Sequence, residues 1–276
     1  MCFAWRRLKM SRLEAKVIVT TGGTQGIGEA IALQSAREGA AGVVLCGRQE
    51  DKGHAVAASV EQLGCAAEYV HADLSIVEDC RNVVRRCDER FGRVDGLVNS
   101  AADTNRSTLD DLSPEFWDYQ FAVNVRAPFL LTQECVRVMK RKKISGSIVN
   151  ILSAGKYCGV PSLVAYSSTK GALSTFTKNI ANGLRVDRIR VNGINLGWTD
   201  TPGEHAVQGK VGSPGNWLET AEKQSPFGRL LKTDDVARLC MYLLSDESGI
   251  LTGSNIDYTQ HVVDYSSSSS PPSGLV

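Results

Sequence analysis

Short apolar runs alternate with longer stretches of helical spacing along almost the whole chain. Val17–Thr20, Gly42–Cys46, Ala66–Val70, Gly96–Asn99, Ser147–Leu152, Ile189–Asn195 and Ser254–Tyr258 read as strands. Between them, helical patterns cover Glu29–Glu38, Asp51–Leu63, Ile76–Phe91, Pro114–Lys142, Ser162–Leu184 and Thr233–Ser245. In Ile76–Phe91, for example, Cys80, Val83, Val84 and Cys87 fall at intervals that line one helix face. Strands this continuously apolar must be covered on both faces, which implies a parallel sheet between two layers of helix. Right-handed crossovers then give an α/β fold, a doubly wound and mostly parallel seven-stranded sheet. No break in composition divides the alternation, so the pattern predicts a single domain over residues 13–264.

Three segments fall outside the pattern. Residues 1–12 form an N-terminal extension; its first ten (MCFAWRRLKM) read as a frayed lead-in or a fragment of a targeting sequence. Trp198–Phe227 is rich in Gly, Pro and Thr, and a loop of that length is either a functional lid or disordered. Residues 265–276 (YSSSSSPPSGLV) are a low-complexity Ser/Pro tail that cannot bury enough surface to order itself.

Composition narrows the function classes. Lysine plus arginine number 31 against 30 acids, a net charge of +1, which argues against a nucleic-acid groove or a polybasic membrane anchor. No run approaches the roughly 18 apolar residues of a membrane span. The eight cysteines (2, 46, 65, 80, 87, 135, 158 and 240) include no C-x-x-C pair. With only four histidines, no cluster has zinc-ligand spacing, so no metal is expected. Scattered cysteines in a chain of this size read as reduced core thiols of an intracellular, cytoplasmic protein.

Candidate chemistry begins at the first strand–helix junction, Thr21–Gly28 (TGGTQGIG). Gly22, Gly26 and Gly28 allow the tight turn and bring backbone N–H groups close to a pyrophosphate, and the helix start behind them favours anions. A strand before and a helix after make dinucleotide binding the expected role. The second strand ends at Cys46-Gly47-Arg48, with no acid before Glu50 to accept from a ribose 2′-hydroxyl. Arg48 is suited instead to a 2′-phosphate, which favours NADP over NAD; its alternative reading is a solvated surface arginine. Further on, Ser153 follows the fifth strand, with Tyr166 and Lys170 one helical turn apart beyond it. A serine at a strand's C-terminal end faces the crevice where open α/β sheets bind ligands.

With these residues in hand, the sequence resembles the short-chain dehydrogenase/reductase family, over about Leu13–Tyr258. The resemblance rests on T-G-x-x-x-G-I-G at Thr21–Gly28, Asp73-Leu74, Asn99, Asn124, Ser153 and Y-x-x-x-K at Tyr166–Lys170. Arg190-Val191-Asn192, Phe227-Gly228-Arg229 and Thr252-Gly253 also fit. It implies a Rossmann-type domain and hydride transfer between NAD(P)(H) and a carbonyl/secondary-alcohol pair. By resemblance Tyr166 is the acid/base, Lys170 lowers its pKa and holds the nicotinamide ribose, Ser153 polarises the carbonyl, and Asn124 supports a proton relay. Cofactor contacts implied in the same way are Gly22, Thr24, Gln25, Gly26, Ile27, Gly28, Arg48, Asp73 with Leu74 at the adenine, Asn99 at the ribose, and Thr199 and Thr201 at the carboxamide. The sequence departs from the family's pattern at Gln25, Ser100, Ala102 and Leu196, and at Thr259–Val262 after the last strand. Members are commonly homodimers or homotetramers built through the two long helices. Trp198 and Trp217 wall a pocket or pack as core beneath the lid, and His205 reads as a polar lid residue. Two competing readings are a cofactor-binding sensor or scaffold without turnover, and a lyase or epimerase that recycles its nicotinamide. The full Asn124, Ser153, Tyr166 and Lys170 set argues against the first. The absence of an added C-terminal substrate region argues against the second.

Overall fold

The computed structural model describes residues 11–157 and 159–262. The expectations for residues 1–10, Cys158 and the tail lie outside the described residues. In chain order the strands are β1 (Val17–Thr21), β2 (Gly42–Gly47), β3 (Ala66–His71), β4 (Gly96–Asn99), β5 (Ser147–Ser153), β6 (Arg190–Leu196), β7 (Thr199–Asp200), β8 (Leu231–Lys232) and β9 (Asn255–Tyr258). The helices are α1 (Gly26–Arg37), α2 (Glu50–Gln62), α3 (Val77–Phe91), α4 (Pro114–Phe121), α5 (Ala127–Lys142), α6 (Val164–Leu184), α7 (Pro202–Lys210), α8 (Trp217–Gln224) and α9 (Thr233–Leu244). One sheet has seven strands in the order β3-β2-β1-β4-β5-β6-β9, with every pairing parallel. The order reverses direction at β1 and β4, and their C-terminal ends, Thr21 and Asn99, border one crevice.

Alternation along the strands divides the core. Val17 and Val19 pack with α3 and α5, while Ile18 between them packs with α1, α2 and α9. In the same way Val43 and Leu45 face one layer, and Val44 and Cys46 the other. Each buried aliphatic side chain contributes roughly 1.5–3 kcal/mol of transfer free energy, so both helix layers are needed. The R-V-N motif fastens the last strand. Arg190 gives hydrogen bonds to Leu243 O and Ser245 O at the carbonyl end of α9. Asn192, fully buried, donates to Leu251 O and accepts from Ser254 N, fixing the approach to β9.

Two segments differ from the sequence pattern. Pro114–Lys142 is not one helix: a turn of π-helix at Ala122–Arg126 separates α4 from α5. Apolar spacing cannot register a single wide turn inside a helix. Trp198–Phe227 is not a structureless loop; it holds β7, α7 and α8, and β7 pairs with β8. Two short helices with Thr201 as N-cap for the first are too brief to announce themselves by periodicity. The cysteines at 46, 65, 80, 87, 135 and 240 are all buried and free. Among the described residues, none forms a metal-ligand cluster, and no helix is long and apolar enough to cross a membrane.

Candidate active site

The turn after β1 is built for close approach. Gly22 and Gly26 have φ of +65° and +63°, in the left-handed region that glycine enters without strain. A Cβ on Gly28 would stand 2.3 Å from Gly22 O, so α1 starts flush against the strand end. Gln25, the N-cap of α1, makes no side-chain cap, which leaves the first-turn N–H groups free to receive an anion. Thr24 is buried and packs against Gly47 at the end of β2; Ile27 is partly buried against the core. Thr21, which the sequence reading left out of the site, accepts from Ser100 N and Ala101 N and ties the end of β1 to the loop after β4.

At the ends of β2 and β3, Arg48 donates to Tyr119 Oη at 3.1 Å. Lys52, in the first turn of α2, donates to Gln25 Oε1 at 3.0 Å. A lysine therefore stands over the position where the turn itself carries a neutral glutamine. Nothing in the spacing marked it, because only the turn of α2 brings it over Gln25. Asp73 lies close enough to feel Arg48 and His71. Burial pushes its carboxyl up, but hydrogen bonds from Ser75 and these two charges prevail and hold it below the usual range. Leu74 is buried in the core and offers only its backbone. The Asn99 side chain is not in the crevice. It is buried, its amide N–H groups donate to Asn150 Oδ1 (2.8 Å) and Thr132 Oγ1 (3.4 Å), and its Oδ1 has no partner among the described residues.

Beside this crevice β5 and α6 bring Ser153, Tyr166 and Lys170 together. Ser153 Oγ accepts from Gly155 N at 3.0 Å and lies near enough to the Tyr166 hydroxyl to draw its pKa down. Lys170 is 2 % exposed, and its Nζ donates to Ile151 O at 2.8 Å and lies 5.6 Å from the centre of the Tyr166 ring. Burial draws the lysine down to about 8. The Tyr166 ring is partly covered, but its hydroxyl end lies deep, and burial pushes the phenol up to about 12. Ser153 opposes that rise and the charge of Glu204 adds to it. Asn124 sits in the π turn, fully buried. It accepts from Asp103 N (2.8 Å) and donates to Asp103 O (3.0 Å) and Thr169 Oγ1 (3.1 Å). The wide turn thus aims one amide at both the loop after β4 and the helix carrying Tyr166.

The lid stands over the crevice. Thr199 Oγ1 donates to Gly197 O, and Thr201 Oγ1 accepts from Glu204 N as the cap of α7. Thr201 lies against Gly26, where a Cβ would come 3.8 Å from its own. Trp198 and Trp217 stack on each other with ring centres 5.7 Å apart, and His205 packs edge-on to Trp217. The two tryptophans therefore pack with one another inside the lid. His205 pairs with Asp200 at 2.8 Å. A cavity of about 640 Å³ between α1, α7 and α9 touches Gly26, Thr201 and His205 but none of Ser153, Tyr166 and Lys170.

Residues 22–259 match a family model described as enoyl-(acyl carrier protein) reductase. The chain is 35% identical over 249 residues to an uncharacterised oxidoreductase of Methylorubrum extorquens, covering 90% of this chain and 98% of that one. It is 33% identical over 244 residues to an NADP-dependent (R)-specific alcohol dehydrogenase of Lentilactobacillus kefiri, covering 88% and 94% of the two chains. The fold superposes on an actinorhodin polyketide ketoreductase crystallised with NADPH, with a TM-score of 0.85, 27% identity, and coverage of 91% of this chain and 98% of that one. The chain belongs to the short-chain dehydrogenase/reductase family of NAD(P)-dependent oxidoreductases that act on CH–OH and C=O groups.

Proposed function

We propose that the protein reduces a carbonyl compound, with Tyr166 as the proton donor, Lys170 and Ser153 as its partners, and NADP(H) preferred over NAD(H). The observation that carries this reading is the joint placement of Ser153, Tyr166 and Lys170 beside an uncapped glycine turn. The turn fits a dinucleotide, because a Cβ at Gly28 would fill it and its free N–H groups await an anion. Gly22, Thr24, Gln25, Gly26, Ile27 and Gly28 would hold the pyrophosphate side, Asp73, Leu74 and Asn99 the adenosine, and Thr199 and Thr201 the nicotinamide end. NADPH bound there supplies the hydride and, once oxidised, a positive ring charge. Arg48 and Lys52 support the NADP preference, as two cations held at the end of β2 beside the turn.

Ser153 holds the substrate oxygen and the Tyr166 hydroxyl in one hydrogen-bonded line. With a phenol raised to about 12, Tyr166 keeps its proton at every working pH and delivers it as negative charge builds on that oxygen. The phenolate left behind needs a neighbouring positive charge, which Lys170 supplies from a site fixed by Ile151 O. Asn124 keeps the loop after β4 and the start of α6 in register, so the oxygen and the phenol meet at a set distance. We infer also a homodimer or homotetramer, and a reducing cytoplasmic location in keeping with six free buried thiols.

The test is Tyr166→Phe, which removes one hydroxyl. NADPH titration followed by fluorescence should give a Kd near wild type, while carbonyl-dependent NADPH oxidation falls at least roughly 10²-fold. Turnover within threefold of wild type would remove Tyr166 from the proposed role.

A further inference from the structure

The loop after β4 is fastened to both walls of the crevice. On one side Ser107 N donates to Ser162 O at 3.0 Å and Val164 N to Ser107 O at 3.4 Å, at the entry to the helix that carries Tyr166. On the other side Lys210 Nζ donates to Asn105 Oδ1 at 2.8 Å, and Arg106 Nη2 to Glu204 Oε1 at 3.3 Å. Arg106 therefore sits between the start of α6 and the lid helix α7. Its side chain is 24% exposed, and this long, one-cornered contact is its only hydrogen bond among the described residues. A guanidinium carries five N–H donors, and those not turned to Glu204 face solvent, open to an incoming acceptor. Glu204 does not need it. The same oxygen receives Trp198 Nε1 at 3.0 Å and Gln208 Nε2 at 2.6 Å, both shorter contacts. Next to Arg106 the buried Ser107 hydroxyl also lacks a partner among the described residues. A guanidinium with donors to spare and a buried hydroxyl without a partner, on one loop that leads to the helix of Tyr166, suit a ligand rich in acceptors.

We infer that Arg106, assisted by Ser107, receives a carboxylate of the substrate, and that the protein's substrates are oxo acids and the matching hydroxy acids rather than neutral ketones. The inference rests on the proposed reading of this crevice as a carbonyl-reducing site. The planar fork of a guanidinium matches a carboxylate through two parallel hydrogen bonds, which a single corner of Glu204 does not offer. Arg106 exchanges Glu204 for the substrate, and Glu204 stays in place on Trp198 and Gln208. The carboxylate end fixed on the loop after β4 leaves the carbonyl end to Ser153 and Tyr166.

The experiment compares straight-chain oxo acids of increasing length with their methyl esters, following NADPH oxidation by the full-length protein. Wild type should favour the best acid over its ester by at least about tenfold in kcat/KM, as a charge-assisted pair implies. Arg106→Gln should abolish that preference through KM for the acid, leaving the ester within about threefold of wild type. Arg106→Lys, which keeps the charge without the fork, should fall between them. Equal losses for acid and ester in Arg106→Gln would make the residue a lid fastener only and overturn the inference, as would a wild-type preference for esters. If neither acids nor esters are reduced, the carbonyl-reducing reading fails by itself. The carboxylate site is then decided by calorimetry with hexanoate against methyl hexanoate in the presence of NADP. Hexanoate binding that Arg106→Gln removes supports the site, and no hexanoate binding overturns it.

Discussion

Burial drives Tyr166 and Lys170 in opposite directions, the phenol up to about 12 and the ammonium down to about 8, because it penalises whichever form is charged. The sign of the pH response follows. Tyr166 stays protonated throughout the accessible range, so it contributes no limb below pH 10. Lys170 is charged below its lowered pKa and loses that charge above it. The rate of carbonyl reduction should therefore fall as pH rises through about 8, and Lys170→Met should be slower and lack that limb. A wild-type profile flat to pH 10 would contradict the assignment of the limb to Lys170. The cofactor pocket makes its own residue-level prediction. Arg48→Ala and Lys52→Ala should each weaken NADPH about tenfold, the scale of a charge-assisted hydrogen bond, and leave NADH within twofold. Direct titration with both nucleotides checks it, and equal effects on the two would make both residues surface cations. Arg48 was legible in the sequence because it stands at the end of a strand. Lys52 was not, because its meaning depends on α2 turning it back over Gln25.

At the scale of elements, what was legible was whatever repeats with a period. The seven strands of the main sheet, their order of appearance and the long helices between them follow from apolar spacing, since each must cover a layer of the sheet. The π turn at Ala122–Arg126 and the two lid helices were not legible, being too short to show a period. Motif residues divide in the same way. Ser153, Tyr166 and Lys170 meet because a strand end and one helix face bring them together. Asn99 is carried by the same strand pattern, yet its amide is consumed by Asn150 and Thr132, a fact of packing that no spacing encodes. The glycine turn is the element with the least room. A methyl on Gly28 would drive into Gly22 O at 2.3 Å and into Gly23 N at 2.9 Å, backbone atoms that cannot rotate away. Gly28→Ala should therefore push α1 off the end of β1, at about 1–3 kcal/mol of stability, the usual scale of overpacking. Thermal melting should show the loss, and NADPH affinity should fall at least about tenfold. A variant with unchanged melting and affinity would mean that the turn relaxes freely and does not set the phosphate site.

At the scale of the whole molecule, one helix layer carries an aromatic side chain that stands partly in water. α5 and α6 lie on the side of the sheet that carries the acid–base pair, and their outer surfaces meet at an edge-to-face contact between Phe129 and Phe176, ring centres 6.3 Å apart. Phe129 is 42% exposed, an aromatic side chain that a solitary molecule would leave half in water. Alongside it α6 presents Ser168, Gly171, Ala172 and Thr175, and a Cβ on Gly171 would meet nothing within 4 Å. In the proposed dimer, small side chains beside these aromatics would let a second pair of helices approach, and a two-fold axis there would bury each Phe129 against its counterpart's helix. Because α6 carries Tyr166 and Lys170, clamping it from outside in the proposed dimer would hold them more rigidly. Sedimentation of the wild-type protein should give a dimer or tetramer, and Phe129→Glu, which places a charge in the middle of the strip, should shift it toward the monomer. In the monomer the loss should fall on kcat more than on NADPH affinity, since the phosphate turn belongs to β1 and α1 on the far side of the crevice. A wild-type monomer, or a Phe129→Glu protein that assembles as before, would assign this strip to ordinary surface and leave the rigidity of α6 to its own packing on β5 and β6.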